Sequence, residues 1–406
     1  MKVLHIAEST KGGGAENVFS QTVKALKEYG VGDFAHYVAA RENDNTDFPI
    51  DLSFPSIGKA NFFNSIYSVK NFLLLRRYLF KLRPDVIHFH LVGNLSPSVL
   101  HAIFLYKKKA PKCKILQTVH TYEHVCSHHA AYDYRLERRC LDCKADKYKI
   151  KIFKRRCSRK GALHSFGKGI TSLIGDLFFN NGLVDKWITP SEFLGALLSD
   201  RYGEHSVSVL KNSISHIGQS VVEKKNVITY FGRFSEEKNL QLLLNIMPSL
   251  IRLIPDIKLK LIGDGPMLLE LKNVVVLKNL QNHVQFSPFM PPTKLSELIG
   301  DAKVFVLPSK LFETFSLVLY ESVLADMIPI AGNYGALKEA IEWLGCGEVF
   351  DEVNQEELVE KIINSVLCYA SQKSVIVAAK EKITKNLNMS RYRDSLIQVY
   401  RDCSHN

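Results

Sequence analysis

Apolar residues in this chain fall into short runs that alternate with stretches of helical spacing. Val3, Leu4 and Ile6 make Lys2–Ala7 a strand candidate, and Glu16–Tyr29 follows with the apolar stripe of an amphipathic helix. Phe34–Ala40 reads as a second strand. Phe72–Leu82 reads as a helix carrying Arg76, Arg77 and Lys81, with Arg83 beyond it and Pro84 as the stop. Asp85–His90 and Ile115–His120 are strand-like. Residues 123–170 break this rhythm and read as an inserted loop or lid. Asp185–Thr189 then resumes as a strand and Glu192–Tyr202 as a helix. Alternation of this kind predicts a parallel sheet covered by helices on both faces.

A second series follows. Val227–Phe231, Lys258–Ile262, Val284–Phe286, Val304–Leu307 and Ile328–Ala331 are strand-like; Asn239–Leu253, Pro266–Val274 and Lys294–Asp301 are helix-like. Arg391–Tyr400 reads as a last amphipathic helix. With a hinge around Lys211–Asn226, the expected organisation is a Rossmann-like domain over 1–215, a second over 216–385, and a helix over 386–406 crossing back to the first. Length supports two domains, since 406 residues exceed the usual size of one.

Composition is 46% hydrophobic and 23% charged, ordinary for a folded chain. No apolar run approaches the ~18 residues of a membrane span. The first apolar run meets a Gly-rich loop instead of a cleavage region, so the expectation is a cytoplasmic protein. Eight cysteines in 406 residues do not make a disulfide scaffold. The net charge of +12 is uneven: Arg135–Lys160 holds twelve Lys or Arg against three acids. That run implies an anionic partner or a merely solvated basic loop.

Three junctions carry candidate chemistry. Glu313 and Glu321 lie eight residues apart across a strand–loop–helix step, with Glu321 expected about two turns inside the helix. The helix mouth between them offers free amides and a positive dipole end, a seat for phosphate. A carboxylate at each end suits hydroxyls flanking a diphosphate, as in a nucleotide sugar. Arg233 and Lys238, in Gly232–Asn239, would converge on a diphosphate or else pair with Glu236 and Glu237. Gly12–Gly14 follows the first strand, where glycines admit a phosphate or simply make a turn. His120 ends a strand at the edge where ligands bind in such sheets.

Together these pieces resemble a retaining glycosyltransferase of family 4 with the GT-B architecture. The resemblance rests on Gly13–Glu16, Arg83–His88, Thr118–His120, Gly232–Asn239, Gly263–Pro266 and the Glu313–Glu321 pair, in that order. It implies two Rossmann-like domains facing each other across a cleft. It also implies roles. Arg233 and Lys238 would neutralise the departing diphosphate; Glu313 would hold donor-sugar hydroxyls, with Thr314, Phe315, Ser316 and Leu317 near sugar and phosphate. Glu321 would hold the ribose, His120 the donor sugar, and Gly13 and Gly14 the phosphates or acceptor. The chain has no Asp-x-Asp, which fits catalysis without a metal on the diphosphate. Ser213 stands where the family usually has glycine, and Gly332–Glu339 follows the usual pattern loosely.

The expected partners are a UDP- or GDP-sugar, a saccharide or lipid-linked saccharide acceptor, and an anionic membrane surface that the basic insertion and the Phe72–Arg83 helix would lean on. Nucleic acid is not expected. Cys126, Cys140, Cys143 and Cys157 place a C-x-x-C between two flanking cysteines, a set able to hold structural zinc or to remain as thiols. His124, His128 and His129 lie nearby. Two rivals stand beside the transferase: a GT-B nucleotide-sugar epimerase, and a cysteine-metal nucleic-acid binder built on Arg135–Lys160. The binder leaves Arg233, Lys238, Glu313 and Glu321 without a role.

Overall fold

Seven strands of the N-terminal half form one parallel sheet. In chain order the strands are β1 (Lys2–Ala7), β2 (Ala35–Arg41), β3 (Leu52–Phe54), β4 (Val86–Phe89), β5 (Lys114–Thr118), the hairpin strands β6 (Tyr132–Asp133) and β7 (Arg138–Arg139), β8 (Lys186–Thr189) and β9 (Val207–Val209). The sheet order is β3-β2-β1-β4-β5-β8-β9, with β6 and β7 pairing separately. The chain moves one way from β1 and the other way from β4, so the topological switch lies between those two strands. β4 is buried along its whole length, as expected for a strand covered on both faces. This computed structural model describes residues 1–28, 34–41, 48–55, 62–214 and 222–405.

The chain divides into two units, residues 1–213 with 389–406, and residues 214–388. The last helix, Met389–His405, thus belongs to the first unit. Its Tyr392, Leu396, Ile397 and Tyr400 are buried with Val3, Val86, Leu116 and Ile188. Tyr400 Oη lies 2.7 Å from His88 Nδ1 on β4.

The second unit repeats the plan with β10 (Lys225–Phe231), β11 (Lys258–Ile262), β12 (Val284–Ser287), β13 (Ala302–Leu307), β14 (Ile328–Gly332) and β15 (Glu348–Phe350). All are parallel, in the order β12-β11-β10-β13-β14-β15, so the switch lies between β10 and β13. Phe231, Phe305, Val306 and Leu319 lie in its core. Each unit is Rossmann-like, in agreement with the expected fold class.

Several elements differ from the sequence reading. Residues 123–170 are not a plain loop. They hold the β6–β7 hairpin, a short helix Lys151–Arg155 and the start of a long helix, Ala162–Phe179. That helix exposes Leu163 and Phe166 while burying Ser165, Gly169 and Asp176, so it carries no conventional apolar stripe. The helices Ser98–Lys109, Gly335–Leu344, Gln355–Leu367 and Lys373–Asn386 and the three-residue strands β3, β9 and β15 were not anticipated. Three residues are too few to show a period. The expected hinge lies partly outside the described residues, as does Tyr29.

Candidate functional site

In the second unit the loops after β10, β11 and β13 are tied together by backbone hydrogen bonds. Gly232 N donates to Ile262 O (2.9 Å), Phe234 N to Asp264 O (2.8 Å) and Lys310 N to Glu237 O (2.8 Å). Gly263 has φ +145°, and a Cβ there would lie 1.9 Å from Gly232 O, so the close approach of the loops requires glycine.

This arrangement brings Lys238 and Glu313 together at the switch between β10 and β13. Lys238 Nζ lies 2.5 Å from Glu313 Oε1, and Ser309 Oγ donates to the same oxygen at 2.8 Å. The ammonium and carboxylate are 23% and 18% exposed, open enough for a ligand to separate them. The expected alternative, pairing of Lys238 with Glu236 or Glu237, is replaced by this longer-range contact. Arg233 is exposed, and among the described residues its guanidinium has no ion pair, so no contact draws it to Lys238. Its carbonyl accepts from Tyr230 Oη at 3.0 Å. Ser235, which the sequence did not single out, is 2% exposed with an Oγ lacking any hydrogen-bond partner among the described residues.

Beyond Glu313 the chain passes through Thr314, Phe315 and Ser316 into the helix Leu317–Leu324. Ser316 is extended (φ −99°, ψ 91°) and its side chain does not cap, so the first helical amides remain open toward an anion. The Phe315 ring stacks on Tyr320 at 4.9 Å. Glu321 is the fifth residue of this helix, one turn in and not two, because the helix starts only at Leu317. Burial raises its carboxyl to about 7.

In the first unit, Gly13 N donates to Glu16 Oε2 at 2.9 Å, and the helix starts at Gly14. The glycine loop therefore already holds an anion, the chain's own carboxylate. His120 lies two residues past β5, and its Nε2 is 2.9 Å from His90 Nδ1. Burial lowers His120 to about 4, so this imidazole is neutral at pH 7. His90 escaped the sequence reading. Its signal was the His88-Phe89-His90 alternation, which puts both imidazoles on one face of β4.

His5, His88 and His90 offer nitrogens within 4.8 Å of one another. His88 Nε2 lies 2.8 Å from Thr118 Oγ1 on β5, and its Nδ1 meets Tyr400 of the last helix, so both nitrogens are already engaged. Among the described residues no group of three or more cysteine ligand atoms meets that spacing. Cys126, Cys143 and Cys157 are nevertheless buried near one another, and burial first, then the nearby Cys126, pushes Cys143 and Cys157 up to about 12. Cys140 is partly exposed, with Arg155 Nη1 3.6 Å from its sulfur. Tetrahedral zinc with bonds of ~2.3 Å needs sulfurs about 3.8 Å apart, so a metal would have to draw the four inward.

The insertion is anchored by charges. Lys149 Nζ donates to Asp176 Oδ1 and to Glu123 O, both at 2.7 Å, with the pair 2% and 1% exposed. Desolvation shifts Lys149 down and Asp176 up, each toward its neutral form, against the pull of their contact. Arg201 Nη2 lies 3.6 Å from the same carboxylate. Lys151 donates to Asp142 O, and Arg155 pairs with the Asp142 carboxylate. The basic run is thus partly internal structure, and its free surface charge is smaller than the sequence suggested.

Comparison with known proteins fits this geometry. The family described as Glycosyltransferase Family 4 matches residues 12–216, and that described as Glycosyl transferases group 1 matches residues 214–382. Spore coat protein SA of Bacillus subtilis is 26% identical over 183 residues, 43% of this chain and 48% of that protein. The chain thus spans about half the length of that relative. An uncharacterized 41.2 kDa protein in the cps region of Klebsiella pneumoniae is 22% identical over 99% of both chains. The crystal structure of HepE from Anabaena in complex with UDP superposes with a TM-score of 0.72 at 14% identity, covering 99% of this chain and 100% of that one. That likeness shows the GT-B fold.

Proposed function

The chain belongs to Glycosyltransferase Family 4, and from that membership we propose that it transfers a sugar from a nucleotide-sugar donor to a saccharide acceptor with retention of configuration. One observation carries the reading: the Lys238–Glu313 pair at the switch between β10 and β13, one loop before an uncapped helix N-terminus. A donor diphosphate seated on the open amides of Leu317 and its neighbours would take Lys238 as its counter-ion, joined by Arg233. Glu313, released from the ammonium, would accept hydrogen bonds from donor-sugar hydroxyls. Glu321 would accept from the ribose. As the glycosyl bond breaks, negative charge grows on the diphosphate, and a fixed cation lowers the barrier most where charge grows most. No divalent metal is assigned to this step. His120, neutral and hydrogen-bonded to His90, would offer its other nitrogen to the donor sugar.

A UDP-sugar is the first donor to test, because HepE was crystallised with UDP and with UDP-glucose. The acceptor proposed is a lipid-linked saccharide of surface polysaccharide assembly, in line with the cps-region relative. Peripheral attachment to anionic lipid would use the Val69–Leu82 helix, whose Leu73 and Phe80 are exposed beside Arg76, Arg77 and Lys81. Cys126, Cys140, Cys143 and Cys157 are proposed to close around one structural zinc.

The test is UDP release from UDP-glucose by the full chain, with and without lipid-linked acceptor extracts. Acceptor-dependent release that is lost in Lys238→Met supports transfer. UDP release without acceptor, accompanied by an epimerised free sugar, replaces it with the epimerase. Absence of UDP binding and release, with GDP-sugars equally inert, refutes both.

A further inference from the structure

The apolar side of the Ala162–Phe179 helix points away from the protein. Leu163, Phe166, Ile170, Leu173 and Leu177 recur at steps of three and four residues, which lines them up along about 21 Å of helix at ~1.5 Å per residue. Leu163 is 88%, Phe166 54% and Leu177 47% exposed, and Ile170 and Leu173 are half-buried. The side turned inward carries Ser165, Gly169 and Asp176 instead. A surface helix of a globular protein has the reverse arrangement, and an exposed apolar face of this kind marks an interaction site.

The stripe continues into a wider surface. The helices Val69–Leu82, Ser98–Lys109 and Ala162–Phe179 connect β3 to β4, β4 to β5 and β5 to β8, each step running the same way along the sheet. Right-handed crossovers therefore put all three on one face. Their rings join them side by side: Phe72 lies 5.0 Å from His101, and His101 stacks on Phe178 at 5.4 Å. Leu73 and Phe80, exposed on the first of these helices, thus share a face with the stripe on the third.

Cations frame the stripe at both ends. Arg156, Arg159 and Lys160 are exposed just before its first turn. At the other end Lys107 Nζ donates to Gly182 O at 3.0 Å, which sets the exposed Lys108 and Lys109 beside the last turn. Lys108 Nζ lies 4.6 Å from the centre of the Phe104 ring, and Phe104 lies 5.5 Å from Phe178. The only acid of the helix, Asp176, is buried in its pair with Lys149.

This combination selects the partner. A second copy of the chain would cover the stripe but would set cations against cations in either orientation. Nucleic acid would match the cations but offer the stripe no apolar medium. An anionic bilayer surface offers headgroups to the cations and acyl chains to the stripe. Among the described residues no single helix is long and apolar enough to cross a membrane, so the contact lies in the plane of the surface. Resting on the transferase reading for its purpose, we propose that the Ala162–Phe179 helix lies in an anionic lipid surface, with Leu163, Phe166 and Leu177 inserted and Arg156, Arg159 and Lys160 on the headgroups. The enzyme would then work on the surface that carries a lipid-linked acceptor.

The test is co-sedimentation of the full chain with vesicles of phosphatidylcholine alone and of phosphatidylcholine with about one-third phosphatidylglycerol. The wild type should bind the anionic vesicles about tenfold or more tightly than the neutral ones, and less tightly as salt is raised. Leu163→Gln and Phe166→Gln should each weaken that binding by about tenfold, the loss of one inserted apolar side chain, with UDP affinity and melting temperature unchanged. Phe166 meets Phe153 edge-on at 5.5 Å, so the more exposed Leu163 supplies the variant should Phe166→Gln fail to fold. Equal vesicle binding by the wild type and both variants overturns the inference, and so does equal binding to the two kinds of vesicle. A loss confined to Phe80→Gln also overturns it, leaving attachment to the Val69–Leu82 helix alone. A wild-type dimer that Phe166→Gln dissociates, with no vesicle binding, replaces the lipid with a second copy. Sugar transfer by a chain that binds no vesicles refutes this inference and spares the transferase reading; stripe-dependent vesicle binding by a chain that ignores nucleotides does the opposite.

Discussion

Glu321 makes a quantitative prediction about pH. Its carboxyl is moved from an ordinary value of 4.5 to about 7 by desolvation, with no charged partner to restore it. If ribose hydroxyls donate to this group, the carboxylate is the stronger acceptor. With a value near 7, about ten in eleven molecules carry the neutral acid at pH 6 and about one in eleven at pH 8. Binding that selects the carboxylate should therefore strengthen by about tenfold, about 1.4 kcal/mol, between pH 6 and pH 8. The same shift acts on stability with the opposite sign. A raised folded-state value favours the fold fully below 4.5, and that contribution is lost as pH climbs through 7. The assay is isothermal titration of UDP-glucose at pH 6, 7 and 8. UDP-glucose is preferred to UDP because a terminal phosphate titrates near 6 and would confuse the profile. Glu321→Gln should flatten the profile. A wild-type affinity that does not change over this range refutes the reasoning, and so does a slope that persists in Glu321→Gln.

Other outcomes follow from the same geometry. Lys238→Met and Glu313→Ala should each lower kcat by about 10²–10³, as loss of one preorganised charge does elsewhere, with melting temperature close to wild type; near-normal turnover would refute the site assignment. Lys149→Met leaves the buried Asp176 with only Arg201, 3.6 Å away, as counter-charge and should cost about 3 kcal/mol in urea unfolding, the low end for a broken buried pair. A loss under 1 kcal/mol would mean the insertion is not anchored there. Gly263→Ala should destabilise the second unit and abolish UDP binding, since its Cβ would overlap the Gly232 carbonyl; retained binding would show that the loops can part. Metal analysis should find about one zinc per chain, falling in Cys143→Ser; metal-free wild type with four titratable thiols at these positions would refute the structural zinc.

How much of this was legible before folding varied by element. The strands β1, β4, β5, β10, β11 and β13 were readable because each is a short, apolar run with a punctuating residue after it. Lys238, Glu313 and His120 could be named as candidates because they lie in the loops that follow those runs, where a parallel sheet presents its ligand edge, and Glu321 because the helical pattern resumes just before it. The Ala162–Phe179 helix was not, because Gly167, Gly169 and Gly175 and the buried Asp176 interrupt the pattern that marks an amphipathic helix. The Glu321 position was one turn off because helix starts depend on backbone geometry at Ser316, which composition does not reveal.

Sequence alone determined the fold class, the two-unit plan and the identity of the residues at the strand ends, because periodicity and chain order are properties of the chain itself. Tertiary structure decided which of those residues meet. Lys238 and Glu313 are 75 positions apart, as Lys149 and Asp176 are 27 apart, and nothing local specifies either pair. Their partnership depends on which strands become neighbours, and on the desolvation that makes an unpaired charge costly once they do. The same cause separates surface cations such as Arg135 from the buried Lys149 within one basic run: the chain shows their equal charge, and only packing decides which of them keeps its water.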